Sequence, residues 1–359
     1  MESQASERYS RQILFPHIAE RGQRRLAAAR IAIVGCGATG AMSSSLLARA
    51  GVGHISLIDR DIVEFSNLQR QVLYDEADAR EALPKAEAAR QKLLAANSSV
   101  DITAHVADLV PGNVAALLGE ADLILDATDN FETRYLLNDF AVQTGKPWMY
   151  AAAVGSQAST MTILPRPASD APAPLYEPTA CLACLFPEPP SGTVDTCDTA
   201  GILGTAVTLA ASLQVTEALK LLVGDFGALR RTLFSADLWT PKQNHRLQQA
   251  EIPNEPRPGC EVCDRRVFRY LAGASRPQIT LCGRNSVQIH EHHRPVTLAD
   301  LAQRLRSDPA LTNVRSNSLL LRFTRGDHTI TVFPDGRALI QGTTDTALAR
   351  SLYARFIGA

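Results

Sequence analysis

The feature that most constrains this chain is a β-branched run that stops on glycines. Residues 30–37 read Arg-Ile-Ala-Ile-Val-Gly-Cys-Gly, and the glycine pattern continues through Gly35-Cys36-Gly37-Ala38-Thr39-Gly40. Such a run reads as a buried parallel strand, and the small residues from Ala38 to Ala50 read as the helix that follows it. Glycines at that junction permit a tight turn and let a phosphate approach the positive helix N-terminus. Asp59 closes the next strand, 53–59, about 20 residues on, where a carboxylate takes ribose hydroxyls. NAD and ATP both fit a unit of this kind.

Further elements extend the same plan. Pro84 opens a helix running to about Ala96, and strands are expected at 100–106, 122–127 and 147–154. Strands alternating with helices give a doubly wound, mostly parallel sheet covered on both faces, a Rossmann-like α/β fold. The proline-rich stretch 165–192 reads as a long surface loop, part of a crossover spanning about 155–200. A buried helix is expected over 202–223. Beyond Cys263 the pattern changes to alternating strands at 286–290, 318–323 and 328–340, with Pro334-Asp335-Gly336 as a turn and helices at 297–306 and 344–356. These give two domains, 1–265 and a small α+β unit at 266–359.

The side chains around the second and fourth strands choose between the nucleotides. Asn67, Gln69 and Arg70 follow Asp59 closely, and Lys85 stands at a helix start. Asp126, Asp129 and Asn130 lie at the carboxyl end of a strand, where open α/β sheets bind ligands. Two cations and a carboxylate able to hold Mg²⁺ suit the triphosphate of ATP, whereas a nicotinamide site needs no such set.

Seven cysteines fall in clusters. Cys181-x-x-Cys184 and Cys260-x-x-Cys263 supply four thiolates, enough to close a tetrahedral structural Zn²⁺ site; redox dithiols are the rival reading. Cys197 precedes the long apolar helix, and a thiol near a helix N-terminus gains reactivity. His290, His292 and His293 read as a polar loop. With 36 Lys+Arg against 37 Asp+Glu, the chain lacks the basic excess of a nucleic-acid binder. No apolar run is expected to span a membrane and no secretory signal is evident, so a cytoplasmic location is expected.

Six motifs taken together, RYSRQI at 8–13, GCGATG at 35–40, DRDIVEFSNLQRQ at 59–71, PK at 84–85, DATDN at 126–130 and TRYLLN at 133–138, resemble the MoeB/ThiF family. Members adenylate ubiquitin-like sulfur carriers and belong to the ubiquitin-activating superfamily. The resemblance covers roughly residues 5–265. It implies that Gly35, Gly37, Gly40 and Asp59 bind ATP, with Asn67, Arg70, Lys85 and Asn130 beside them and Asp129 holding Mg²⁺. It further implies a homodimer in which Arg11 reaches the γ-phosphate of the neighbouring subunit. Arg134 and Asn138 match the family in type. The four paired cysteines match the family's zinc ligands, and Cys197 aligns with a cysteine that some members use to receive the carrier. The expected partners are a carrier ending in Gly-Gly and a sulfurtransferase or cysteine desulfurase. A rhodanese loop and a fused carrier tail are not expected: Cys282-Gly283-Arg284 lacks the former's pattern, and Ile357-Gly358-Ala359 is not Gly-Gly. An NAD-dependent dehydrogenase with structural zinc and a non-catalytic carrier-binding module are the rival functions.

Overall fold

The structure is a computed structural model that describes residues 7–166, 175–189, 200–240, 248–273, 279–281, 285–289 and 295–358. The chain divides into two compact units, Met1–Ala274 and Ser275–Ala359.

The first unit is built on eight strands. They are β1 (Arg30–Val34), β2 (His54–Asp59), β3 (Asp101–Val106), β4 (Leu123–Asp126), β5 (Trp148–Val154), β6 (Gln157–Ile163), β7 (Thr232–Asp237) and β8 (Gln248–Pro253), in the order β3-β2-β1-β4-β5-β6-β7-β8. The pairings from β3 to β5 are parallel, and those from β5 to β8 are antiparallel. The doubly wound expectation is therefore met, with an antiparallel extension. Strand order reverses between β1 and β4, so their carboxyl ends flank the crevice where such sheets place ligands.

Burial explains the central strands. β4 is buried at every residue and β1 at all but its first, as strands covered on both faces must be. The helix Ala38–Ala50 buries small residues (Thr39, Gly40, Ala41, Ser43, Ser44 and Ala48), and the helix Gly204–Val223 presents Ala206, Ala210, Ala211 and Ala218. Small side chains let these two helices pack closely over the sheet. Gly204–Val223 is also long and apolar enough, by length and composition, to cross a membrane, which corrects the expectation that no run reaches that length. Its interior carries Gln214 and Glu217, both buried and hydrogen-bonded within the protein, as befits a core helix.

Two segments differ from expectation. Residues 157–163 belong to β6, hairpinned onto β5, although the crossover loop was expected to start near 155. Within the proline-rich stretch, Thr179, Ala180 and Cys181 are buried, and Leu182–Leu185 forms a helical turn. Four cysteines and the hydrophobic residues Val142, Ala180, Ala183 and Val262 form a separate small core there.

The second unit contains β9 (Ile279–Leu281), β10 (Ser286–Ile289), β11 (Thr312–Ser316), β12 (Leu321–Arg325), β13 (His328–Val332) and β14 (Ala338–Gln341). They form one antiparallel sheet in the order β11-β12-β13-β14-β10-β9. Helices Leu298–Arg306 and Thr346–Phe356 place Leu298, Leu301, Leu305, Leu352 and Phe356 against Val287, Phe323, Ile330 and Ile340. Each fully buried side chain of this size contributes about 1.5–3 kcal/mol. The expected turn joins β13 to β14, closed by Gly336 N–H donating to the Phe333 carbonyl at 3.1 Å.

Candidate active site

The glycine loop folds as it does because two of its positions exclude any side chain. Gly35 adopts φ +93°, and a Cβ there would lie 2.6 Å from the Ala127 carbonyl oxygen. A Cβ on Gly40 would lie 1.9 Å from the Gly35 carbonyl oxygen. Backbone therefore meets backbone at the β1–β4 junction. Gly37 caps the helix Ala38–Ala50 with no side chain reaching back to the first turn. The leading amides of that helix have no partners within it, which leaves a positive N-terminus at the crevice.

Asp59, at the end of β2, braces the loop from behind. Its Oδ2 accepts from the Cys36 N–H at 2.6 Å and its Oδ1 from the Asp61 N–H at 2.7 Å. Burial raises its pKa to about 6, with Asp61 adding to the rise and Lys85 opposing it. Tyr74 donates its hydroxyl to the Cys36 carbonyl at 2.6 Å, and burial pushes both the Tyr74 phenol and the Cys36 thiol up. Cys36 is thus a packed, neutral side chain.

Lys85 is the cationic centre. It begins the helix Lys85–Ala96 and is buried, with Nζ 3.2 Å from Asp61 Oδ2. Burial alone would lower its pKa, but Asp61, Asp59 and Asp129 more than offset this and hold it protonated. Asn67 is buried in the short turn Phe65–Asn67, where its Oδ1 accepts from the Glu64 N–H. Arg70 donates to the Ser66 carbonyl at 2.9 Å and makes no ion pair among the described residues.

The carboxyl end of β4 supplies the acidic side. Asp129 is exposed and makes no ion pair among the described residues, so its carboxylate is available to hold a divalent cation. Asn130 is already used: its Oδ1 accepts from the Thr133 N–H at 2.8 Å and caps the helix Phe131–Thr144. Arg134 is buried, with Nε 3.1 Å from Asp126 Oδ2 and further bonds to the Thr128 and Ala151 carbonyls. Its guanidinium lies 5.0 Å from the Tyr150 ring centroid. Arg134 therefore fixes the shape of the β4 end. One turn on, Asn138 accepts from the Leu182 N–H at 2.8 Å and ties this helix to the cysteine turn.

Arg11 stands elsewhere. Its short helix, Ser10–Ile13, is tethered by Gln12 to the Ala50 carbonyl, by Arg8 to the Ala96 carbonyl, and by the Tyr9 hydroxyl, which accepts from Asn97. Those partners lie at the far ends of the two helices whose starts carry the glycine loop and Lys85. At about 1.5 Å per residue, the 13-residue helix Ala38–Ala50 separates Arg11 from its own crevice by about 20 Å.

The four paired cysteines converge as expected. Sγ–Sγ separations are 3.8 Å for Cys181–Cys184, 3.7 Å for Cys181–Cys260 and 3.3 Å for Cys184–Cys263, and all four sulfurs lie within 4.8 Å of one another. Zinc–sulfur bonds of about 2.3 Å give tetrahedral edges of about 3.8 Å, so the cluster fits Zn²⁺ with small side-chain adjustments. None of the four is in a disulfide. Hydrogen bonding among the thiols pushes Cys181 up and holds Cys184 down, a division of protons forced by packing sulfurs this closely. Cys197, Cys282, His290, His292 and His293 lie outside the described residues.

Sequence reasoning missed Asp61 and Gln214. Asp61 sits inside a motif of which Asp59, Asn67, Gln69 and Arg70 were read but the second aspartate was not. Gln214 donates to the Asp126 and Met149 carbonyls at 2.7 and 2.8 Å and accepts from the Ser43 hydroxyl at 2.9 Å, locking the loop helix to the ends of β4 and β5. The available signal was a lone amide in an apolar helix.

Comparison with known proteins agrees with this geometry. The ThiF family model matches residues 9–262. The chain is 42% identical over 353 residues to the Sulfur carrier protein ThiS adenylyltransferase of Bacillus subtilis, covering 98% of this chain and 99% of that one. It is 36% identical to the SAMP-activating enzyme E1 of Haloferax volcanii, over 72% of this chain and 88% of that one. The solved structure of E. coli MccB with ATP shares the fold, with a TM-score of 0.58 at 24% identity over 71% of this chain and 74% of that one. The resemblance read from six motifs is borne out, and the chain belongs to the ThiF family.

Proposed function

We propose that this protein is an adenylyltransferase that uses Mg-ATP to activate the C-terminal glycine of a ubiquitin-like sulfur carrier. The observation that carries this reading is the buried, protonated Lys85 beside the uncapped glycine-loop helix, at the point where strand order reverses. The full-length likeness to a protein named for this activity supports it. A nicotinamide site gives Lys85 and Arg70 no role in the reaction, whereas transfer at a triphosphate uses both.

The chemistry suits the residues. The carrier's terminal carboxylate is ionised near pH 7 and needs no general base. One of its oxygens attacks the α-phosphorus, a new C–O–P link forms, the bond from the α-phosphorus to the bridging oxygen breaks, and pyrophosphate leaves with that electron pair. No net proton transfer is required. The difficulty is bringing an anion to an anion, and fixed positive groups lower that barrier. Lys85 and the helix N-terminus face the phosphates, Asn67 and Arg70 flank them, Gly35, Gly37 and Gly40 let them approach, and Asp59 addresses the ribose. Asp129, with Asn130 beside it, would hold the Mg²⁺ that neutralises the departing pyrophosphate.

Arg11 cannot serve its own crevice across about 20 Å, so its contribution requires a second copy of the chain. Exposed Leu14 and Phe15 beside it offer apolar surface for a homodimer. Cys197 is the candidate acceptor of the activated carrier, with sulfur supplied by a separate sulfurtransferase or cysteine desulfurase. The cysteine cluster is a closed zinc staple and takes no part in the reaction. The test is mass spectrometry of a Gly-Gly carrier incubated with enzyme and Mg-ATP. A carrier–AMP adduct is expected with the native chain and none with a folded Asp129→Ala variant; an equal adduct from both would remove Asp129 from its role.

A further inference from the structure

The residues assigned to adenylation all lie in the first unit, which leaves the second without a task. The two units differ in charge. Residues 275–359 contain eleven arginines and no lysine against six acidic residues, whereas the whole chain carries 36 Lys+Arg against 37 Asp+Glu. The second unit is therefore basic and the first acidic. A basic excess confined to one unit gives that unit a field that attracts acidic partners.

The second unit also holds a groove of about 570 Å³ beside the helix Leu298–Arg306. Its apolar lining is small, with Val296, Leu298, Ala299, Ala302 and Pro334. Ser316, Asn317 and Ser318 line it from the turn after β11. Asn317 is spent on that turn, its Oδ1 accepting from the Leu319 and Leu320 N–H groups at 2.8 and 2.9 Å. The Ser316 and Ser318 hydroxyls make no hydrogen bond among the described residues.

Arg306 is the one charged residue lining the groove among the described residues, and its guanidinium has no ion pair or hydrogen bond there. The other arginine of this helix differs, since Arg304 donates to the Phe356 carbonyl at 2.7 Å. An uncommitted guanidinium takes a carboxylate through two parallel hydrogen bonds. Ala299 and Arg306 stand about 10 Å apart along the helix, the span of about three residues of extended chain. Serine hydroxyls both donate and accept, as the N–H and C=O groups of such a chain require. One cation and no aromatic side chain give a nucleic acid neither a phosphate track nor a stacking platform.

We propose that this groove docks a short extended segment of an acidic partner protein, with small apolar side chains over Ala299 and Ala302 and a carboxylate on Arg306. The proposal stands apart from the adenylation reading and does not depend on it.

The probe is a fluorescein-labelled pool of pentapeptides with a central glutamate flanked by Ala, Val or Pro, titrated into the full chain and read by polarisation. The pool is expected to bind, and the same pool with glutamine at the centre to bind about tenfold more weakly. Arg306→Gln is expected to abolish that discrimination. Ala299→Glu is an exposed change in a first helical turn, where a carboxylate is favourable, so the melting temperature should hold. It is expected to weaken the glutamate pool by about tenfold or more and the glutamine pool less. Both variants should keep ATP–pyrophosphate exchange within about twofold, because neither residue belongs to the crevice. No binding of the glutamate pool at millimolar concentration, equal binding of the two pools, or discrimination that survives Arg306→Gln overturns the proposal. Tighter binding of oligo(dT) than of the peptides, lost in Arg306→Gln, overturns it in favour of a nucleic acid.

Discussion

The crevice at the ends of β1, β2 and β4 and the cysteine turn beyond the helix Phe131–Thr144 gather opposite kinds of group. The crevice gathers donors and cations toward a nucleotide: uncapped helix amides, protonated Lys85, and Arg70, which makes no ion pair among the described residues. The cysteine turn gathers four sulfurs within 4.8 Å of one another, a donor set for a cation. The difference lies in access. Three of the four cysteines are buried and offer no open coordination position, whereas Asp129 is exposed at the edge of the crevice. One region is arranged to keep its ion and the other to exchange its ligand. The helix Phe131–Thr144 serves both, through Arg134 at its start and Asn138 one turn later.

That contrast is open to attack, and the strongest blow falls on the closed region. Chelating zinc, or replacing Cys260 with Ser, removes a site whose binding energy is part of the folding energy. A loss of about 4 kcal/mol or more is expected, seen as a fall in melting temperature on the order of 10 °C. A chain stripped of metal, verified by elemental analysis, that melts as before would break the comparison.

Lys85→Met tests the exchanging region. Carrier-dependent adenylation is expected to fall about a thousandfold through lost electrostatic stabilisation, with secondary structure by circular dichroism intact. A fall in melting temperature matching that of the cysteine variants would mean that Lys85 is structural.

A smaller effect sharpens the picture through pH. The Asp59 carboxyl has its folded pKa raised to about 6 from an ordinary value near 3.8, so the folded chain holds its proton longer than the unfolded chain. Stability from this group is then greatest at low pH and is lost as pH rises from about 4 to 6. Asp59→Asn removes this titration but leaves one of the Cys36 and Asp61 N–H groups without an acceptor, so its stability relative to the native chain is expected to fall as pH drops from about 6 toward 4, while ATP affinity drops. A constant gap across pH would assign the effect to something other than titration. The smallest effect is expected from Cys197→Ser, which should leave adenylation within about twofold and reduce only the transfer of sulfur to the carrier, measured as thiocarboxylate formed. A large loss of adenylation would move Cys197 into the first half-reaction.

Much of the crevice was legible because its logic is local. The glycine loop, Asp59 and Lys85 each sit at an element boundary that hydrophobic periodicity marks, and the helix Ala38–Ala50 falls where the small residues placed it. The cysteine pairs were legible by spacing, and so was their meeting across the fold, since two CxxC pairs must converge to close one tetrahedral site. Strands β6 to β8 were missed because they carry Ser, Thr and Gln in place of an apolar alternation, and β8 is exposed along its whole length. The helix Ala19–Ala28 hid for the opposite reason, since the face it buries consists of Gly22, Gln23 and Leu26. The lone amide of Gln214 was visible in its apolar helix, but its partners were not, because only the folded strands bring the Asp126 and Met149 carbonyls and the Ser43 hydroxyl to it. Arg134 could be matched by type, but its bond to Asp126 emerges only when helix and strand end meet.

The central claim is acyl-adenylate formation, and ATP–pyrophosphate exchange measures it most directly. The full chain should be assayed with Mg-ATP, labelled pyrophosphate and a ubiquitin-like carrier, beside the same carrier lacking its terminal Gly-Gly. The account predicts label entering ATP only with the intact carrier. Exchange that ignores the carrier's tail, or none with any carrier despite tight binding of Mg-ATP, would contradict it.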